Sequence, residues 1–66
     1  MIKWIVKESI TEDIEKIIGE FCDNTQADKF CRKESVWNPH LLYLYKINRT
    51  GEHYEQTYFA GRIINC

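Results

Sequence analysis

Three cysteines, two histidines and ten carboxylates are the side chains here with the chemistry to bind a metal or attack a substrate, and their spacing gathers none of them into a site. Cys22, Cys31, Cys66, His40 and His53 are ligand types, yet no Cys-x-x-Cys or His-x-x-x-His pair occurs, the spacing a structural zinc site generally uses. No metal and no cofactor is expected. A cysteine nucleophile needs an imidazole within hydrogen-bond reach and a third group to orient it, and nothing in the spacing selects such a set. The ordinary reading of Cys22 and Cys31 is a small packed hydrophobe. Glu12, Asp13, Glu15 and Glu20 fall in no motif and read as a solvated acidic connection. Glycines stand only at 19, 51 and 61, so no phosphate-cradling loop exists. The chain is not expected to be an enzyme.

What remains is surface chemistry. Tyr43, Tyr45, Tyr54 and Tyr58 stand near Lys46, Arg49 and Arg62, and aromatics interleaved with bases are the pattern of single-strand nucleic-acid platforms. Glu52 and Glu55 in the same stretch oppose that reading. Tyrosine, tryptophan and arginine are also the residue types that dominate protein interfaces, and a protein partner is the preferred expectation. The candidate contact residues are Lys29, Arg32 and Lys33 on a helix, with Tyr43, Tyr45, Arg49, His53, Tyr54 and Tyr58 on a hairpin. Tyrosines at period two are equally core residues, and only the sheet's register separates the two roles.

Sixty-six residues make one domain, spanning 1–66. At that size only about 60% of the unfolded chain's surface can be buried, enough for one thin core. Hydrophobic residues are 44% and charged residues 29%, the mixture of a folded protein, and nine aromatics supply large apolar area to a short chain. The net charge of −1 provides no global field for nucleic acid or anionic lipid. Met1–Lys7 is apolar for too few residues and carries lysines, so neither a signal peptide nor a membrane span is expected, and the expected location is the cytoplasm. The odd cysteine count fits free thiols in a reducing compartment.

These side chains must be positioned by elements that the hydrophobic period delineates. Ile2 to Glu8 alternates as a first strand. Two readings compete for the next stretch. At helical period Ile10, Ile14, Ile17, Ile18, Phe21 and Cys22 form one stripe, with Ser9 and Glu12 as a capping box. At period two Ser9–Glu15 is a connection and Lys16–Cys22 a strand, with Ile17, Gly19 and Phe21 on one face. The strand is preferred, because a glycine in a helix interior costs about 1 kcal/mol. Thr25 is the expected N-cap of a helix with Ala27, Phe30 and Cys31 on its apolar side, and Asp28 and Arg32 form an i,i+4 pair. Trp37-Asn38-Pro39 ends it. Leu41–Ile47 and His53–Ala60 are strands joined through Asn48-Arg49-Thr50-Gly51, and Arg62–Cys66 is a short last strand after Gly61. The expectation is an α+β domain in ββαββ order, an antiparallel sheet of four to five strands on one helix, with βααββ as the alternative. A single helix covers one face of such a sheet and leaves the other open, either to a partner or to a second copy, so monomer and small homo-oligomer both stay open.

Ile5-Val6-Lys7-Glu8, Thr25-Gln26-Ala27, Lys33-Glu34 and Gly61-Arg62-Ile63-Ile64-Asn65-Cys66, taken in that order along the whole chain, resemble the small phage-encoded inhibitors of bacterial defence, and within them the ninth anti-CRISPR family acting on type I-F surveillance complexes. The resemblance implies a non-enzymatic viral protein in the host cell that packs a sheet around one helix, docks on the protein backbone of a CRISPR effector and interferes with target DNA binding. That family uses two adjacent basic residues early in the helix. Their positions fall here on Asp28 and Lys29, so only Lys29 keeps the charge, and Arg32 one turn later supplies a second cation.

Overall fold

The computed structural model describes residues 2–64. The chain forms β1 (Lys3–Ser9), β2 (Glu15–Phe21), α1 (Asn24–Trp37), β3 (Leu42–Asn48), β4 (Gly51–Phe59) and β5 (Arg62–Ile63). It is an α+β fold with one helix on a five-stranded sheet of order β2-β1-β3-β4-β5, antiparallel at every pairing. Among the described residues no helix is long and apolar enough to cross a membrane.

The strand reading of the second segment holds, and the helical alternative fails. Residues 10–14 close a hairpin in which the Ile10 N–H donates to the Ile14 carbonyl at 2.9 Å, while the Thr11 Oγ1 accepts the Ile14 N–H at 3.1 Å and the Asp13 N–H at 3.3 Å. Gly19 then permits a close approach that a larger residue would block. A Cβ there would stand 2.9 Å from Phe21 Cε2 and 3.3 Å from Phe30 Cε2, inside the space where those two rings meet at 5.2 Å between centroids.

The helix starts earlier than Thr25. Asp23 is the N-cap, with extended backbone at φ −132° and a carboxylate that accepts the Thr25 N–H at 3.4 Å. An aspartate at this place satisfies an orphan donor and also meets the positive end of the helix dipole, which a threonine hydroxyl does not. The helix stops as expected before Pro39, with Asn38 turned to extended backbone. Its buried stripe is Ala27, Cys31 and Ser35, spaced by four. Buried Ser35 is satisfied on both sides: its hydroxyl donates to the Arg32 carbonyl at 3.2 Å and accepts the Gly61 N–H at 2.9 Å. That bond ties the β4–β5 turn to the helix. In this turn Ala60 at φ 55° and Gly61 at φ 80° both adopt the positive φ that a two-residue type I′ hairpin loop requires. Asn65 and Cys66, placed in the last strand by sequence, lie outside the described residues.

Val6, Ala27, Cys31, Leu42, Leu44 and Tyr58 form the core between sheet and helix, with Trp4, Ile18, Phe21, Phe30 and Ile63 packed around it. Two β-bulges decide which residues reach it. In β4 the register runs Leu44↔Gln56 and then Tyr45↔Tyr54, so Glu55 is an extra residue. In β2 it runs Val6↔Gly19 and then Lys7↔Ile17, so Ile18 is extra. An extra residue reverses the facing of everything beyond it. The expectation that Ile17, Gly19 and Phe21 share a face is therefore corrected. Gly19 and Phe21 face the helix, Ile18 packs on the core, and Ile17 lies on the far side, exposed.

Candidate partner-binding face

The sheet surface away from the helix is set by those registers. Residues directly opposite in antiparallel strands share a face, so Lys7, Tyr43 and Thr57 form one row and Ile5, Tyr45 and Tyr54 the next, with Ile17 beside Lys7 and Glu20 beside Ile5. Ile5 is only 4% exposed although it stands outside the core cluster, because its neighbours on this second face close over it. The three tyrosines touch. Tyr54 meets Tyr45 at 5.9 Å and Tyr43 at 6.3 Å between centroids, both edge to face, the arrangement that ring quadrupoles favour. The Tyr54 hydroxyl also pairs with that of Thr57.

Both lysines of this face are paired within the chain. Lys7 reaches diagonally across the sheet, its Nζ 4.6 Å from the Tyr45 ring centre and 2.7 Å from Glu52 Oε1. The hydrogen bond to Glu52 holds the Lys7 ammonium above the usual lysine range, against the opposing effect of burial. Burial foremost, and then the negative charge of Glu15, pushes the Tyr45 phenol up. At the margin Lys3 pairs with Glu20 at 3.2 Å.

Tyr43, Tyr45 and Tyr54, which sequence reasoning named without separating exposed from core tyrosines, are brought together by the register, and the other candidates go elsewhere. Tyr58 is corrected: it is fully buried and presents no surface. The β4 bulge is the reason, since four residues apart in a regular strand would put Tyr54 and Tyr58 on one face. The Tyr58 hydroxyl instead donates to Asp28 Oδ1 of the helix at 2.6 Å and lies 2.6 Å from Gln56 Oε1. Desolvation raises the Tyr58 phenol, and its bond to Asp28 holds that carboxyl below the usual range, aided by the Arg32 guanidinium. The expected Asp28–Arg32 pair is present at 3.0 Å. Lys29, Arg32 and Lys33 are exposed on α1, on the opposite side of the molecule from the tyrosines. Arg49 is exposed at the β3–β4 turn, and His53 stands opposite Lys46 on the helix side of the sheet, its Nε2 2.9 Å from Thr50 Oγ1.

Lys7, Ile17 and Glu52 belong to the face and were not among the sequence candidates. The period of β1 already placed Lys7 opposite the core side; the missing link was its pairing with β3, which no local pattern encodes.

Cys31 is fully buried, and desolvation with the nearby Asp28 pushes its thiol up to about 12, far from the thiolate a nucleophile needs. His40 Nδ1 pairs with Glu8 Oε2 at 2.9 Å, which together with Asn38 lowers the Glu8 carboxyl. Among the described residues no group of three or more His, Cys, Asp or Glu converges on a metal position, and no enclosed pocket opens on the surface. No protein-family model, curated protein or solved structure matches the chain.

Proposed function

We propose that this protein acts without catalysis, as a small phage or mobile-element inhibitor in the host cytoplasm that binds a bacterial defence complex of the CRISPR-effector kind, or another host protein, through the open face of its sheet. The observation that carries this reading is the contiguous Tyr43–Tyr45–Tyr54 cluster on a face that none of the other described elements covers. Large, stiff aromatic side chains with polar tips give contact area at low entropic cost, the character of interface hot spots. A protein target fits better than single-stranded nucleic acid. Stacking platforms need splayed rings beside free cations, whereas here the rings pack on one another and Lys3 and Lys7 are each paired with a carboxylate.

The test is a comparison of the wild-type chain with Tyr54→Ala in a bacterial strain carrying a type I-F CRISPR system that targets an infecting phage. Expression of the wild type should restore plaque formation and co-purify the effector complex in fixed stoichiometry, and Tyr54→Ala should lose at least about tenfold in both while staying folded. Failure of the wild type to protect the phage or to retain any stoichiometric protein partner, or full activity in the variant, would overturn the proposal. Retention of single-stranded oligonucleotides that weakens steeply with salt would favour the nucleic-acid reading instead.

A further inference from the structure

Lys7 sits in an unusual place for a strand lysine: its ammonium is laid over one ring of a three-tyrosine cluster and fastened to a carboxylate two strands away, with the side chain only 19% exposed. Tyr45 and Glu52 together are a cation site, an aromatic face plus an acidic oxygen, and the free protein fills it from within. From this geometry we infer that the Tyr45–Glu52 pair is the specificity site of the face, that it takes a lysine or arginine side chain from the partner protein, and that Lys7 is the internal occupant the partner displaces.

Charge complementarity supports the assignment. With Lys7 swung away, this side of the sheet carries Glu15, Glu20 and Glu52 against Lys3, already committed to Glu20, and Arg62, which stands opposite Phe59 on the last strand, far along β4 from Glu52. A partner that removes Lys7 without supplying a cation leaves Glu52 unpaired under the contact, which costs affinity; one that supplies a guanidinium restores the pair and adds an arginine's flat stacking surface to the ring. An anionic partner meets the opposite balance. The displaced Lys7 is not stranded, because its flexible stem swings to water on the open side of the sheet, beside exposed Ile17.

The inference rests on the proposed use of this face, and its experiment separates the two. Nα-acetyl-arginine amide is titrated into isotope-labelled wild type, Lys7→Met, which keeps the stem and removes the ammonium, and the double variant Lys7→Met/Glu52→Gln, while the Tyr45 ring protons are followed by NMR. Lys7→Met should bind the probe saturably, and the wild type and the double variant each at least about tenfold more weakly. Inorganic phosphate should move the ring in none of them. Wild type reports by itself if Lys7→Met does not fold: a saturating probe must release the Lys7 ε-methylene from its ring-shifted position over Tyr45. Absence of saturable binding to folded Lys7→Met, equal binding by all three proteins, a saturable phosphate response, or a wild-type ε-methylene that stays put overturns the inference. A defence complex that binds the face while the Lys7 resonance does not move sinks this assignment and leaves the proposed function standing.

Discussion

Tyr58→Phe removes one oxygen from the most buried large side chain and nothing else. That oxygen gives its proton to Asp28 at 2.6 Å and touches Gln56 at 2.6 Å, so the phenol joins β4 to the helix through a charge-assisted bond. Hydrogen bonds to charged groups contribute about 1.5–3 kcal/mol, and Asp28 retains Arg32, which offsets part of the loss. The expected cost is about 2 kcal/mol at neutral pH, a large share of the ~3–10 kcal/mol that a chain of this length commands. With a urea slope of about 1 kcal/mol/M, the unfolding midpoint should fall by about 2 M, read from tryptophan fluorescence because Trp4 packs against the core. The pH dependence carries a sign. Tyr58 is the leading cause that depresses the folded-state pKa of Asp28, so its stabilisation is present above the unfolded aspartate range near ~4 and fades as pH falls through the lower folded value. The gap between wild type and variant should be widest at pH 7 and narrower at pH 3. Midpoints that agree within about 0.5 M at pH 7, or a gap of equal size at both pH values, would refute the reasoning.

Three further outcomes follow from particular geometries. Ala60→Gly should stabilise the protein by about 1 kcal/mol, seen as a rise of several degrees in melting temperature, since Ala60 occupies φ 55°, where glycine suffers no Cβ penalty; an unchanged or lower Tm contradicts this. Gly19→Ala should destabilise by about 1–3 kcal/mol in urea unfolding, because the new methyl meets the Phe21 ring at 2.9 Å; a neutral result would mean that the ring has room to move. Under alkylation at pH 8 Cys22, which is exposed, should react freely, while Cys31 should react only at the rate of unfolding, and equal labelling of the two would show that the core opens more readily than its packing implies.

The elements and their order were legible in the sequence because each is written in local terms: alternation in β1 and β3, proline after the helix, glycine in the turns. Gly19 was legible as a strand residue for a backbone reason, and the structure adds the second reason in the two rings that meet over it. What local terms do not contain is register. Glu55 and Ile18 look like ordinary strand residues, yet each is the extra one in its ladder, and the first of them sends Tyr54 to the surface and Tyr58 to the core. The cap was misread by two positions because Asp23, Asn24 and Thr25 are all competent caps by type. The Lys7–Glu52 bond joins residues far apart in the chain, and nothing short of the β1–β3 pairing reveals it.

The first strand lies inside the sheet, between the second and the third, and this shapes how the molecule assembles. β1–β2 and β3–β4 are hairpins that zip locally, but each alone is marginal in water, and the seam that joins them, from Lys3↔Ile47 to Glu8↔Leu42, brings together segments separated by most of the chain. Topology predicts that docking along that seam, with the helix as clasp, is the slow event, so that folding is slower than in a helical bundle of equal size, where contacts are local.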